Sequence, residues 1–335
     1  MDSVSQIALG AAMGVAVMGR RTALWKAALW GGVCGTLPDL DVLIDFGDPV
    51  RNMTYHRAET HALFWLTLAA PPIAWLIARL HRELDRFRRW WLAVWAILIT
   101  HPLLDGMTIY GTQLLLPFTD EPYGVGSLFI IDPLYTLPLL IGTIGALVVR
   151  AGPRALGLNL AGLALSTAYV GWSVFAQHQA ATTAQAALRA QGIAAEQVLV
   201  TPAPFNTLLW RVVAMTPDQY YEGFTLLLDA DSSIGFDRFD RGRPLREELR
   251  GNWFVERIAW FSDGFYKMSQ EGARVLISDL RMGQEPAYAF NFVVAEKRSA
   301  PRPLAVPEQI TRRPDVGRTL RWLWPRMLGE KLPPP

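Results

Sequence analysis

The sequence predicts an α-helical polytopic membrane domain of about six apolar helices, followed by a small extracytoplasmic α+β domain. Three observations predict it. The chain is 51% hydrophobic and only 19% charged, against roughly 25% charged in soluble proteins. Its mean hydropathy is positive, at +0.18. The apolar runs are concentrated before residue 176, and strand-like patterns take over after it. A length of 335 residues suits two domains. The formal net charge of +2 is too small to imply nucleic-acid binding, and the single Cys34 excludes an internal disulfide.

Six apolar segments run at roughly 4–19, 22–38, 62–80, 90–104, 127–149 and 155–176. A spanning helix needs about 20 residues. The last two segments meet this, while the first, second and fourth are short or Gly-rich. No basic run precedes the first segment, and Arg20-Arg21 follows it, so no cleavable signal peptide is expected.

The loops fix an orientation. Arg20 and Arg21, then Arg79, Arg82, Arg86, Arg88 and Arg89, then Arg150 and Arg154 occupy alternate connections. The stretch 105–126 has no Lys or Arg, and 39–61 has only Arg51 and Arg57 against five acidic residues. Arginine-rich loops face the cytoplasm. The N-terminus, the arginine-poor loops and everything after 176 are therefore expected on the outer side of the membrane.

The division expected is 1–176 for the membrane domain, 177–298 for the α+β domain and 299–335 for a Pro/Arg-rich tail ordered by docking. Residues 178–191 read as a helix. Glu196–Thr201, Leu208–Met215, Tyr220–Leu228, Arg274–Leu280 and Ala287–Ala295 read as strands, with a turn at Pro217-Asp218. Residues 246–270 carry helical patterning.

Three polar clusters interrupt the apolar half: Asp39-Leu40-Asp41, His56-Arg57-Ala58-Glu59-Thr60-His61, and His101-Pro102-Leu103-Leu104-Asp105. Ionisable residues beside membrane segments are costly and usually functional. Carboxylates one residue apart suit hard or borderline divalent ions; the plain alternative for Asp39 and Asp41 is a turn after a helix. His56 and His61, at i,i+5, point about 140° apart on a regular helix. Either His56 precedes the helix and folds back, or the two bind different ions. His101 and Asp105, at i,i+4, share a helix face, with Asp105 as ligand or as orienter of His101. The orientation above puts all three clusters on one side of the membrane. Glu59 is a candidate general base and Arg57 a candidate clamp for an anionic group. His81 reads as solvated or lipid-facing, and His178 follows the last span. Pro202, Pro204, Asn206 and Trp210 are candidates for a lip, and Tyr220, Tyr221, Trp253 and Trp260 for a groove. Ordinary core and turn roles suit both sets better.

Taken together, Leu37-Pro38-Asp39-Leu40-Asp41, His56-Arg57-x-x-Thr60-His61 and His101-x-x-Leu104-Asp105 resemble the YdjM-type family. Its members are described as LexA-binding, inner-membrane-associated, metal-dependent hydrolases. The resemblance covers roughly residues 1–175, including Gly111, Pro117 and Asp132-Pro133. Pro202-Ala203-Pro204-Phe205-Asn206-x-x-Leu209-Trp210 resembles a feature of longer members. Glu59 departs from the pattern, which has an apolar residue in that slot; Ala58 and Ala62 flank the departure.

The expectation that follows is a membrane-embedded, metal-dependent hydrolase acting at the outer face on a lipid or lipid-linked phosphoester. Its metal ligands would be Asp39, Asp41, His56, His61, His101 and Asp105, holding zinc, with manganese or magnesium as alternatives. Glu59 and Arg57 would carry the catalytic roles. The alternatives are a lipid amidase and a non-enzymatic anchor with a structural metal. A transporter fits less well, because the clusters lie at segment ends rather than at midplane.

Overall fold

A computed structural model describes residues 1–334 except 151, 230–232, 298, 299, 313 and 314. The expected boundary at 298/299 lies outside the described residues. The N-terminal region is helical: α1 Ser3–Met18, α2 Leu24–Thr36, α3 Pro49–Tyr55, α4 Leu63–Leu80, α5 Phe87–Asp105, α6 Pro133–Val149 and α7 Gly152–Ala190, with short 3-10 turns at Pro38–Leu43 and Glu59–His61. Each of the six apolar segments forms a helix. Among the described residues, however, only α4 and α7 are long and apolar enough to cross a membrane. The expected six spans therefore reduce to two candidates. The reason is length and charge: α1, α2 and α6 have 16, 13 and 17 residues, and α5 opens on Arg88-Arg89.

The chain forms two compact units. The first comprises 1–44, 57–174 and 204–206, and the second 45–56, 175–203 and 207–335. In the first unit α1 and α2 approach until their backbones touch. A Cβ at Gly10 would collide with the Gly31 carbonyl, and one at Gly31 with that of Gly10. Gly10-x-x-x-Gly14 against Gly31-x-x-x-Gly35 is the small-residue packing that lets apolar helices gain contact without a hydrophobic drive. Behind this seam, Val15, Met18, Ala27, Ala74, Trp90 and Leu98 fill a common core.

The Arg-rich connection between α4 and α5 is more ordered than its charge suggests. Glu83 accepts hydrogen bonds from Thr22 Oγ1 (2.8 Å), Lys26 Nζ (2.9 Å) and Trp90 Nε1 (3.0 Å). Burial pushes its carboxyl up, but these donors outweigh it and hold the pKa below the ordinary 4.5. His81 differs from its expected solvated role: Trp30 Nε1 donates to its Nε2 at 2.7 Å, and Trp90 stacks beside it.

The second unit is α+β. Its strands are β1 Gln197–Pro202, β2 Leu209–Met215, β3 Gln219–Leu226 and β4 Phe236–Asp240. Helices α8 Arg243–Glu248 and α9 Trp253–Phe261 follow, then β5 Tyr266–Glu271, β6 Arg274–Asp279, β7 Gly283–Gln284, β8 Ala287–Tyr288, β9 Asn291–Lys297, β10 Pro301–Gln309 and α10 Val316–Met327. Two antiparallel sheets run β1-β2-β3-β4 and β10-β9-β6-β5. Strand alternation sorts β2. Trp210 and Val212 pack on the alanine stripe Ala176, Ala180, Ala184 and Ala187 of α7. Val213 and Met215 pack with Tyr220, Leu280 and Tyr288. Trp210 and Tyr220 are thus core residues.

Three expectations change here. The helix expected over 178–191 is present, but as the end of one continuous α7 that stops at Ala190. The helical patterning of 246–270 resolves into α8, α9 and β5, because Asn252 caps a new helix at Phe254 and Val255. The tail forms β10 and α10. β10 tolerates three prolines because it lies at a sheet edge, where a missing N–H costs no ladder bond.

Candidate metal centre

Four side chains of the first unit converge. One ligand atom each from Asp39, His61, His101 and Asp105 lies within 4.8 Å of the others. Each arrives by a local device. His101 and Asp105 stand one turn apart at the end of α5. Asp39 sits on the 3-10 turn after α2. His61 ends the second 3-10 turn, which follows Arg57 in the left-handed region at φ +64°. That backbone costs about 1–3 kcal/mol in a non-glycine residue. Two hydrogen bonds hold it: Arg57 N–H donates to Asp41 Oδ2 (3.0 Å), and the Arg57 carbonyl accepts from Gln113 N–H (2.9 Å).

Five of the six separations among the facing atoms lie between 3.2 and 3.5 Å. His61 Nε2 and His101 Nε2 are 3.2 Å apart. Asp39 Oδ1 is 3.3 and 3.5 Å from them, and Asp105 Oδ2 is 3.3 Å from both. A tetrahedron with metal bonds of about 2.0–2.1 Å has edges of about 3.3–3.4 Å.

The ring nitrogens on the far side decide which protons are present. His101 Nδ1 donates to the Gly35 carbonyl at 2.7 Å, an acceptor left free in the last turn of α2. Thr60 Oγ1 gives its proton to Asp41 Oδ2 at 2.7 Å, so it accepts from His61 Nδ1 at 3.0 Å. Both neutral rings then turn a bare Nε2 lone pair inward. Two carboxylate oxygens face the same point, and Asp105 Oδ2 is buried with no hydrogen-bond partner. Four acceptors around one point repel unless a cation lies between them. The residues therefore fit a divalent ion.

Each expected site residue has a definite place. Asp41, buried, holds Thr60 and the Arg57 backbone and is 3.7 Å from His61 Nδ1. It thus orients a ligand from behind. His56 caps α3 in the second unit and is not one of the four. Glu59 is exposed at the start of its turn. Arg57 is buried. Its guanidinium lies 3.4 Å from Asp105 Oδ1 and 3.3 Å from Thr108 Oγ1, over the Tyr110 ring. His178 is exposed on α7.

Sequence reasoning missed Gln6, whose Nε2 donates to Asp105 Oδ1 (3.1 Å) and to the His101 carbonyl (3.2 Å). The Met1 amino group also contacts Asp105 Oδ1. A lone amide inside the apolar run of α1 was the available signal. Thr60 was visible only as a motif letter, and the Gly35 carbonyl carries no side-chain signal at all.

Residues 1–180 match the model of the family described as YdjM inner membrane protein. Over 249 residues the chain is 23% identical to the uncharacterized protein YfhP of Bacillus subtilis (strain 168), covering 70% of this chain and 72% of that one. No solved structure matches. With more than half its length matched, this chain belongs to the YdjM inner membrane protein family.

Proposed function

We propose that the protein is a metal-dependent hydrolase of the inner membrane, with its site at the outer face and its α+β domain extracytoplasmic. In this reading all six apolar segments lie in the bilayer, the short ones tilted or packed on their neighbours. The observation that carries the proposal is the set of four inward-facing acceptor atoms on Asp39, His61, His101 and Asp105. Zinc is the ion proposed, with manganese or magnesium less suited to two imidazoles.

A divalent ion held there supplies Lewis-acid chemistry and lowers the pKa of water toward about 7. The chain's own residues do the rest. His61, His101 and Asp105 are buried and fix the geometry. Asp39, with 22% of its side chain exposed, is the ligand that can exchange with substrate or take a proton. Glu59 is the other carboxylate available as a base. Arg57, buried and paired with Asp105, holds that ligand in place.

Leu40, Val42, Leu43 and Ile44, which follow Asp39, are exposed. An apolar rim beside the accessible ligand suits a lipid or lipid-linked phosphoester, or a lipid amide. One observation favours a second reading. Four protein ligands would fill all four positions of a tetrahedral ion, as in structural sites, whereas catalytic zinc keeps one position open. The protein would then be an anchor with a structural ion.

Metal content and turnover of purified full-length protein separate the two. On a phospholipid and on a lipid amide, the hydrolase reading expects Asp105→Asn to lose both metal and turnover. It expects Asp39→Asn to keep metal and lose turnover. Stoichiometric metal with no turnover on either class supports the anchor.

A further inference from the structure

Helix α10 has two apolar faces, and only one is used. Trp322 and Leu323 are buried against Leu209, Phe224 and Leu226 of the second unit, with Trp322 edge-on to Phe224 at 4.9 Å. Arg326 Nη2 donates to the Phe224 carbonyl at 3.2 Å and its other nitrogen is 3.7 Å from Asp229. These contacts fix the helix on its sheet.

The other face carries Val316, Leu320, Trp324 and Leu328, each four residues from the last. They are 65, 47, 66 and 69% exposed. A 3.6-residue period puts them on one slowly drifting stripe, with Arg321 and Arg318 along one edge. Both arginines are exposed, and neither is in an ion pair among the described residues.

We propose that this stripe docks on an anionic lipid surface, with α10 lying in the membrane–water interface. Interfacial helices combine a Trp/Leu face with basic flanks, and tryptophan prefers headgroup depth. Two exposed guanidiniums, without an ion pair among the described residues, complement anionic headgroups. In an inner membrane protein such a surface is always within reach of the chain. A second copy fits less well. Four side chains fall far short of the about 20–30 residues a side in a stable interface, and self-pairing would bring like charges together. The helix is already folded on its sheet, so docking adds no cost of ordering it.

The test uses the full chain with Cys34→Ala and one new cysteine at Leu320, Leu328 or, as control, Val306, which is 58% exposed in β10. Each carries a nitroxide label. The protein is reconstituted in phosphatidylcholine vesicles with or without phosphatidylglycerol. Labels at 320 and 328 are expected to be more accessible to oxygen than to a water-soluble nickel chelate in anionic vesicles, and the label at 306 the reverse. Arg318→Gln with Arg321→Gln is expected to lower the docked-to-free ratio about 30-fold, at about 1 kcal/mol per arginine near such a surface. Water-like accessibility at 320 and 328 in anionic vesicles would overturn the proposal. So would spin–spin broadening that vanishes on dilution with unlabelled protein, which marks a second copy.

Discussion

His61 and His101 point their Nε2 atoms at each other across 3.2 Å, and the partners of their Nδ1 atoms leave both inner nitrogens unprotonated. Thr60 acts on this pair without touching the ion point. Its hydroxyl accepts a hydrogen bond from His61 Nδ1 and donates one to Asp41. Thr60→Val is therefore expected to weaken metal affinity about 10–100-fold, the usual cost of losing a partner behind a ligand. Competition against a chromophoric chelator measures it. Unchanged affinity would mean that His61 needs no orienter.

The glycine seam sets the position of the Gly35 carbonyl, and with it His101. Gly31→Val places two methyl groups where the Gly10 carbonyl already lies. Overpacking of this kind costs about 1–3 kcal/mol or more. Thermal unfolding in detergent should show the loss, and metal affinity should fall with it. A stable variant with full affinity would show that the helices separate freely.

Glu83 gives a pH signature. Its folded pKa lies below the ordinary 4.5. Its stabilisation is therefore complete above about that value and is lost as pH falls through the folded value. Glu83→Gln should cost about 1–3 kcal/mol at neutral pH, and the difference from the parent protein should shrink in acid. A difference that does not change with pH would rule out the carboxylate as its source.

In the second unit, Arg211 Nη2 meets Glu222 Oε2 at 2.6 Å, and the Tyr288 hydroxyl donates to the same oxygen at 2.9 Å. Both charges are buried. Glu222→Ala leaves Arg211 uncompensated and should cost about 3–5 kcal/mol, read as lost protease resistance of residues 207–297. A shift below about 1 kcal/mol would mean that water reaches the guanidinium.

Much of the fold is legible because its signals are local. The apolar runs, the Pro217-Asp218 turn and the alternation of β2 each occupy a few consecutive residues. β4 and β10 were missed because edge strands need little burial: Phe236–Asp240 is mostly charged, and β10 is broken by prolines. Whether an apolar helix is long enough to span a membrane by itself is a matter of length, and the small residues of α1 and α2 pack the two helices on each other.

At the site, the residue types are readable and their convergence is not. His56 and His61 stand five residues apart, yet Arg57 turns the chain between two units. The sequence reading allowed a break at His56 without placing it. Asp39 and Asp41 look alike in sequence. The 3-10 turn Pro38–Leu43 sets residues two apart at about 120° from each other, which sends Asp39 toward the ion point and Asp41 behind His61.

The most direct test of the central claim is anomalous diffraction at the metal edge from crystals of the full-length protein. One peak is expected, within about 2.0–2.2 Å of Asp39 Oδ1, His61 Nε2, His101 Nε2 and Asp105 Oδ2. A metal-loaded crystal with its peak elsewhere, or with none at this point, would contradict the account.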